Sequence, residues 1–245
     1  MITYKDVENR VMPPEKRAEC KHDLFSFYIG RKITYIMTIP FLYTSISPDM
    51  ITGLSILMLS AGFPIFCIAE TKAALLGGWL LFFLWSLLDG VDGNVARYKC
   101  QFSKLGDIYD TMGGYMAIAL MYFAAGIAAA HGRNGLLGLS RDNYIILGGL
   151  SSISGIFPRL MMHKVISSFM DSSIVRDIQD KAQYGIVKIA ALNITSISGG
   201  SMVLLLAAVL TERLDVYTLV YFMLNLLKMI ISLKSIFKGV KEAEK

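Results

Sequence analysis

An all-α integral membrane protein is the fold class this sequence predicts, on three observations. Of its 245 residues 54% are hydrophobic and 18% charged, too apolar a balance for a soluble domain of that size. The apolar residues fall into six runs, each near the roughly twenty residues a helix needs to cross a bilayer core. The Lys and Arg residues gather in segments that would all lie on one side of such a bundle.

Residues 1–47 begin polar and become amphipathic, with Phe25, Phe27, Tyr28, Ile33, Tyr35 and Ile36 set among Lys21, His22, Arg31 and Lys32. That pattern predicts an N-terminal interfacial helix, its cations on lipid phosphates and its aromatic rings below them. No short apolar run with a cleavage site stands in front, so the first span is expected to act as its own insertion signal. Pro48 marks a helix start. Transmembrane helices are predicted at 49–69, 73–96, 107–130, 143–165, 185–210 and 215–236, with Pro64 and Pro158 kinking the first and fourth. The longest polar interval, 166–184, carries Asp171, Arg176, Asp177, Asp180 and Lys181. Residues 48–238 therefore read as one six-helix domain and 239–245 as a tail. In the fourth span Gly148 with Ser152, and Ser151 with Gly155, place small residues four apart, a seam for close helix contact within the bundle or across a homodimer.

With the N-terminus in the cytoplasm, twenty of the 24 Lys and Arg residues fall on the cytoplasmic side. Lys72, Arg133, Arg141 and Arg213 fall opposite, which sets both termini and the cytoplasmic ends of spans two and three on one face. The formal charge of +5 is then a matter of topology, and no nucleic-acid partner is implied. Cys20, Cys67 and Cys100 are odd in number with no close pair, which argues against a disulfide frame or a zinc site.

The stretch from Leu87 to Gly114 carries the chemistry. Asp89 and Asp92 are three apart, one turn of helix and one face, so both carboxylates can reach a common point. Charges at the ends of apolar spans are costly unless paired or bound to metal. Gly93 follows with no side chain to obstruct a ligand, then Ala96 beside Arg97, a bidentate donor suited to phosphate. Gly106 and Asp110 open the next span and bring a third carboxylate from a neighbouring helix. All-oxygen donors of this kind suit Mg²⁺ or Mn²⁺.

This spacing resembles the signature of the CDP-alcohol phosphotransferases: Asp, two residues, Asp-Gly, two residues, Ala-Arg, eight residues, Gly, three residues, Asp, three residues, Asp. Asp89, Asp92, Gly93, Ala96, Arg97, Gly106 and Asp110 match in register, and the last position is Gly114. Ser47-Pro48-Asp49 followed by Thr52 is similar to a junction the family often places before its first span, with Asp49 for Asn. The resemblance implies two divalent ions held by Asp89, Asp92 and Asp110 against the pyrophosphate of a CDP-linked donor. It implies a donor site formed by Gly93, Ala96, Arg97, Gly106 and Thr52. An acceptor hydroxyl then displaces CMP at the donor's β-phosphorus. CDP-diacylglycerol with a small polar alcohol is the expected pair, ahead of a CDP-linked head group passed to a lipid alcohol, and family members are commonly homodimers.

The family's candidate base is the carboxylate replaced by Gly114. Asp107, three residues before Asp110 on the same helical face, is the candidate substitute, with Asp110 as the other catalytic carboxylate. Arg159 and His163, four apart in span four, and Lys188 at the start of span five are the candidate acceptor-binding residues. Two other readings compete. A family member that binds donor without transfer would keep the metal site and release no CMP. A secondary transporter would show inverted repeats and broken helices, neither of which the sequence suggests.

Overall fold

The computed structural model describes residues 2–13, 17, 20–21, 23–132, 138–168 and 185–243. Helix α1 spans Tyr4–Val11, and a π-helical turn at Ser26–Gly30 runs directly into α2, Arg31–Leu42. Then come α3 (Pro48–Cys67), α4 (Lys72–Lys99), α5 (Lys104–His131) and α6 (Arg141–Ser168). The last three are α7 (Ile186–Ile194), α8 (Gly200–Leu210) and α9 (Leu214–Ala243). Among the described residues five helices are long and apolar enough to cross a membrane, namely α3 to α6 and Leu214–Glu242 of α9.

Short polar connections start three of these spans, α3 to α5, with hydroxyl caps. The Ser47 Oγ accepts from the Met50 N–H with Pro48 at the first helical position, Thr71 Oγ1 accepts from Ala74, and Ser103 Oγ accepts from Gly106. Each cap satisfies a backbone donor that the helix leaves open. Cys100, left-handed at φ 55°, ends α4. The core between α3, α4 and α5 is built on Leu59, Phe66, Phe82, Trp85 and Met121, all buried.

Helices α5 and α6 meet backbone to backbone. A Cβ on Gly126 would stand 2.8 Å from the Gly148 Cα, an approach that only small residues permit. Ser152 Oγ donates to the Ala119 carbonyl at 2.8 Å, and Asn225 Nδ2 donates to Ser151 Oγ at 2.9 Å. The small residues predicted to serve either a bundle contact or a dimer seam are thus used inside the bundle.

The fifth predicted span is not one continuous helix. Residues 185–210 form α7 and α8 with a break at 195–199. Gly200 sits against the end of α7 so closely that a Cβ there would lie 2.5 Å from the Asn193 carbonyl oxygen. The opened backbone is satisfied in part from α9, where Tyr221 Oη donates to the Ile194 carbonyl at 2.8 Å, and in part locally, where Thr195 Oγ1 donates to the Ala191 carbonyl at 2.9 Å. Irregular backbone inside a membrane protein is tolerated where protein buries it or where it lines a cavity.

The N-terminal segment packs on protein. Val7, Val11 and Tyr35 are buried together, and Thr34 Cγ2 lies where a Cβ on Gly90 of α4 would stand, 2.8 Å away. Ile36 and Tyr28 remain exposed. Most of the polar interval predicted at 166–184, from residue 169 on, lies outside the described residues.

Candidate active site

Asp89 and Asp92 project from the second half of α4, and Asp110 from the second turn of α5. Asp92 is 6% exposed, and its Oδ2 accepts a 2.5 Å hydrogen bond from Thr52 Oγ1 on α3. Asp89 is half-buried and Asp110 exposed, and both line the same cavities. All three predicted carboxylates line one cavity.

These residues line a cavity of about 320 Å³ together with Thr52, Gly93, Ala96, Arg97, Gly106 and Asp107. Every residue predicted to bind the donor is on its wall. Some act through neighbours. The Arg97 guanidinium folds back over Gly93, where a Cβ would meet Nη2 at 3.1 Å. Its Nη2 donates to Asn94 Oδ1 at 3.2 Å, and Asn94, 2% exposed, donates from Nδ2 to Thr38 Oγ1 at 3.2 Å and Thr34 Oγ1 at 3.4 Å. Helix α2 thereby holds Arg97 in place. Gly106 makes room for Asp49, whose Oδ1 would lie 2.6 Å from a Cβ at that position. Asp49 accepts from Ser103 Oγ at 2.9 Å.

A second cavity of about 310 Å³ lies on the other side of the same carboxylates. Its wall includes Asp89, Asp110, Gly114, Tyr115, Arg159 and His163. Asp89 and Asp110 belong to both cavities. The break between α7 and α8 contributes Ile197 and Ser198, and α4 contributes Trp85. The Trp85 indole N–H has no partner among the described residues. A Cβ on Gly114 would lie 3.5 Å from Arg159 Nη1, and Tyr115 Oη is 3.1 Å from His163 Nδ1. Asp107 is on the first cavity and not the second, so the predicted substitute carboxylate stands apart from the position whose loss it was to repair. The Lys188 side chain lies outside the described residues.

Sequence reasoning missed Asn94, Ser103, Trp85 and Tyr115. Ser103 was findable as a hydroxyl three residues before Gly106. The others depend on contacts between distant helices.

The donor set fits a hard divalent cation in kind, being all oxygen and threefold acidic on the wall of one cavity. As the side chains stand, no three His, Cys, Asp or Glu among the described residues are gathered closely enough to grip one. A family model described as CDP-alcohol phosphatidyltransferase matches residues 45–212, a stretch that contains both cavities. No curated protein matches the chain.

Proposed function

Because the chain belongs to the CDP-alcohol phosphatidyltransferase family, we propose that it moves a substituted phosphate from a CDP-linked donor to an alcohol, releasing CMP. The observation that carries this reading is the pair of cavities joined at Asp89 and Asp110. Donor in one and acceptor in the other would meet at those two residues, the proximity a displacement requires.

Asp89, Asp92 and Asp110 would hold Mg²⁺ or Mn²⁺, in two ions if the family pattern is followed. Such an ion, when bound, offsets the pyrophosphate charge and stabilises the charge that passes to CMP. Thr52 orients Asp92 by its hydrogen bond. Arg97, steadied through Asn94, faces the donor cavity as a phosphate-binding guanidinium. Gly93 and Gly106 leave space for Arg97 and Asp49, and Ala96 keeps the wall low beside them. Arg159 and His163 face the acceptor cavity, and a guanidinium there favours an acceptor bearing phosphate or carboxylate.

CDP-diacylglycerol with a small polar alcohol is the proposed substrate pair. Helices α7 and α8 together make the sixth crossing, both termini are cytoplasmic, and α2 lies at the cytoplasmic interface. A homodimer would use a face other than the small residues of α6, which are occupied within the bundle.

Purified protein in nanodiscs, given CDP-diacylglycerol, Mg²⁺ or Mn²⁺ and a panel of polar alcohols, should release CMP. Asp89→Asn, Asp92→Asn and Asp110→Asn should each lose metal-dependent CMP binding by calorimetry. CMP binding without release from any mixture would favour a member that holds donor without transfer. Unchanged CMP binding in all three variants would refute the site.

A further inference from the structure

The acceptor cavity has no carboxylate at position 114, and a transfer to an alcohol needs a group that takes the hydroxyl proton. Asp107 is on the other cavity. Asp89 and Asp110 are shared by both cavities and are the carboxylates assigned above to metal. What remains on the acceptor wall is a pair: His163, exposed on α6, with Nδ1 3.1 Å from the Tyr115 hydroxyl on α5. The rings meet edge to face at 5.6 Å between centroids. Tyr115 directly follows Gly114, and His163 stands one helical turn beyond Arg159, whose guanidinium faces Gly114. The pair therefore borders the place where the family pattern has its fourth acid.

From this geometry we infer that His163 is the base that accepts the acceptor's hydroxyl proton, with Tyr115 as the residue that positions its imidazole. The inference rests on the transfer reading above and adds a group to it. When Nδ1–H donates to Tyr115 Oη, the lone pair stands on Nε2, the arrangement in which a bound ring nitrogen fixes the tautomer of the other. The acceptor O–H bond breaks as its proton passes to Nε2. The oxygen's electron pair forms the new bond to the donor phosphorus, and the bond from that phosphorus to the CMP oxygen breaks with its pair leaving on CMP. Exposure of His163 lets water carry the proton away. The charged and titratable groups on the same cavity are Asp89 on α4, Asp110 and Tyr115 on α5, and Arg159 on α6.

The test measures CMP release from CDP-diacylglycerol across pH for the full chain in nanodiscs, alongside CMP binding by calorimetry. His163→Gln should lower kcat by about 10²–10⁴-fold, the span general bases supply, with CMP affinity within about threefold of the unmodified protein. The acid limb of the kcat profile should vanish with it. Tyr115→Phe should shift that limb and leave donor KM unchanged, and Gly114→Asp added to His163→Gln should restore part of the lost rate. A His163→Gln protein that keeps the acid limb, or keeps kcat within about threefold, overturns the assignment while leaving the transfer reading intact. An unmodified protein that releases no CMP overturns both.

Discussion

Gly106→Ala is the most searching single change at the donor cavity, because its sign depends on one neighbour. Gly106 lies in the first turn of α5, where Ala is ordinarily better than Gly by roughly 0.5–1 kcal/mol. Here the new methyl would stand 2.6 Å from Asp49 Oδ1 and 3.0 Å from Ser103 Oγ. Asp49 must then turn away and give up its bonds from Ser103 Oγ at 2.9 and 3.0 Å. Overpacking of this kind costs about 1–3 kcal/mol, and a hydrogen bond to a charged group about 1.5–3 kcal/mol. Asp49 is only half-buried, which puts the combined cost at the low end, about 1–2 kcal/mol, still above the helix gain. The assay is a double-mutant cycle on stability in detergent and on CMP affinity with Mn²⁺. Gly106→Ala should destabilise the unmodified chain by about 1 kcal/mol and become neutral or stabilising once Asp49→Ala has removed the clash. An equal cost in both backgrounds would refute the claim that Asp49 is what Gly106 accommodates.

Arg159→Gln should raise the KM of a phosphate- or carboxylate-bearing acceptor by about tenfold, the low end for an exposed charged hydrogen bond, and leave CMP affinity unchanged; equal turnover of a neutral acceptor by both proteins would make Arg159 structural. Asp107→Asn should keep kcat within about threefold, since Asp107 lines the donor cavity, and a loss of about a hundredfold at unchanged donor affinity would return it to the role of base. At the N-terminus Asp6 accepts from the Thr3 hydroxyl and the Thr3 N–H, and these bonds, the hydroxyl's first, hold its carboxyl below the ordinary range. A depressed carboxyl contributes its stability above its unfolded pKa and loses it as pH falls through the folded one. Fraying of α1, followed by amide exchange, should therefore begin on acidification and lose its pH dependence in Asp6→Asn.

The sequence by itself determined the helical membrane class, the approximate starts of the five long helices and the carboxylate motif, because all three are local. A hydroxyl cap acts within three residues, an apolar run is judged by its own length, and residues three or four apart share a helix face wherever the helix is placed. Thus Asp89, Asp92, Gly93, Ala96 and Arg97 could be set on one surface of α4 before any packing was known. The break at 195–199 escaped because the average over 185–210 is apolar, while the backbone there is opened by Gly200 meeting α7 and repaired by Tyr221 from α9. Packing alone decided which groups on separate helices would face each other. Thr52 and Asp92 are 40 residues apart, Tyr115 and His163 are 48, and Thr38 and Asn94 are 56. No periodicity spans such separations. The division of the site into two cavities, with Asp107 in one and Gly114 in the other, follows from how α3, α4, α5 and α6 pack, since two positions seven apart on α5 lie on one face but about 10 Å apart along its axis.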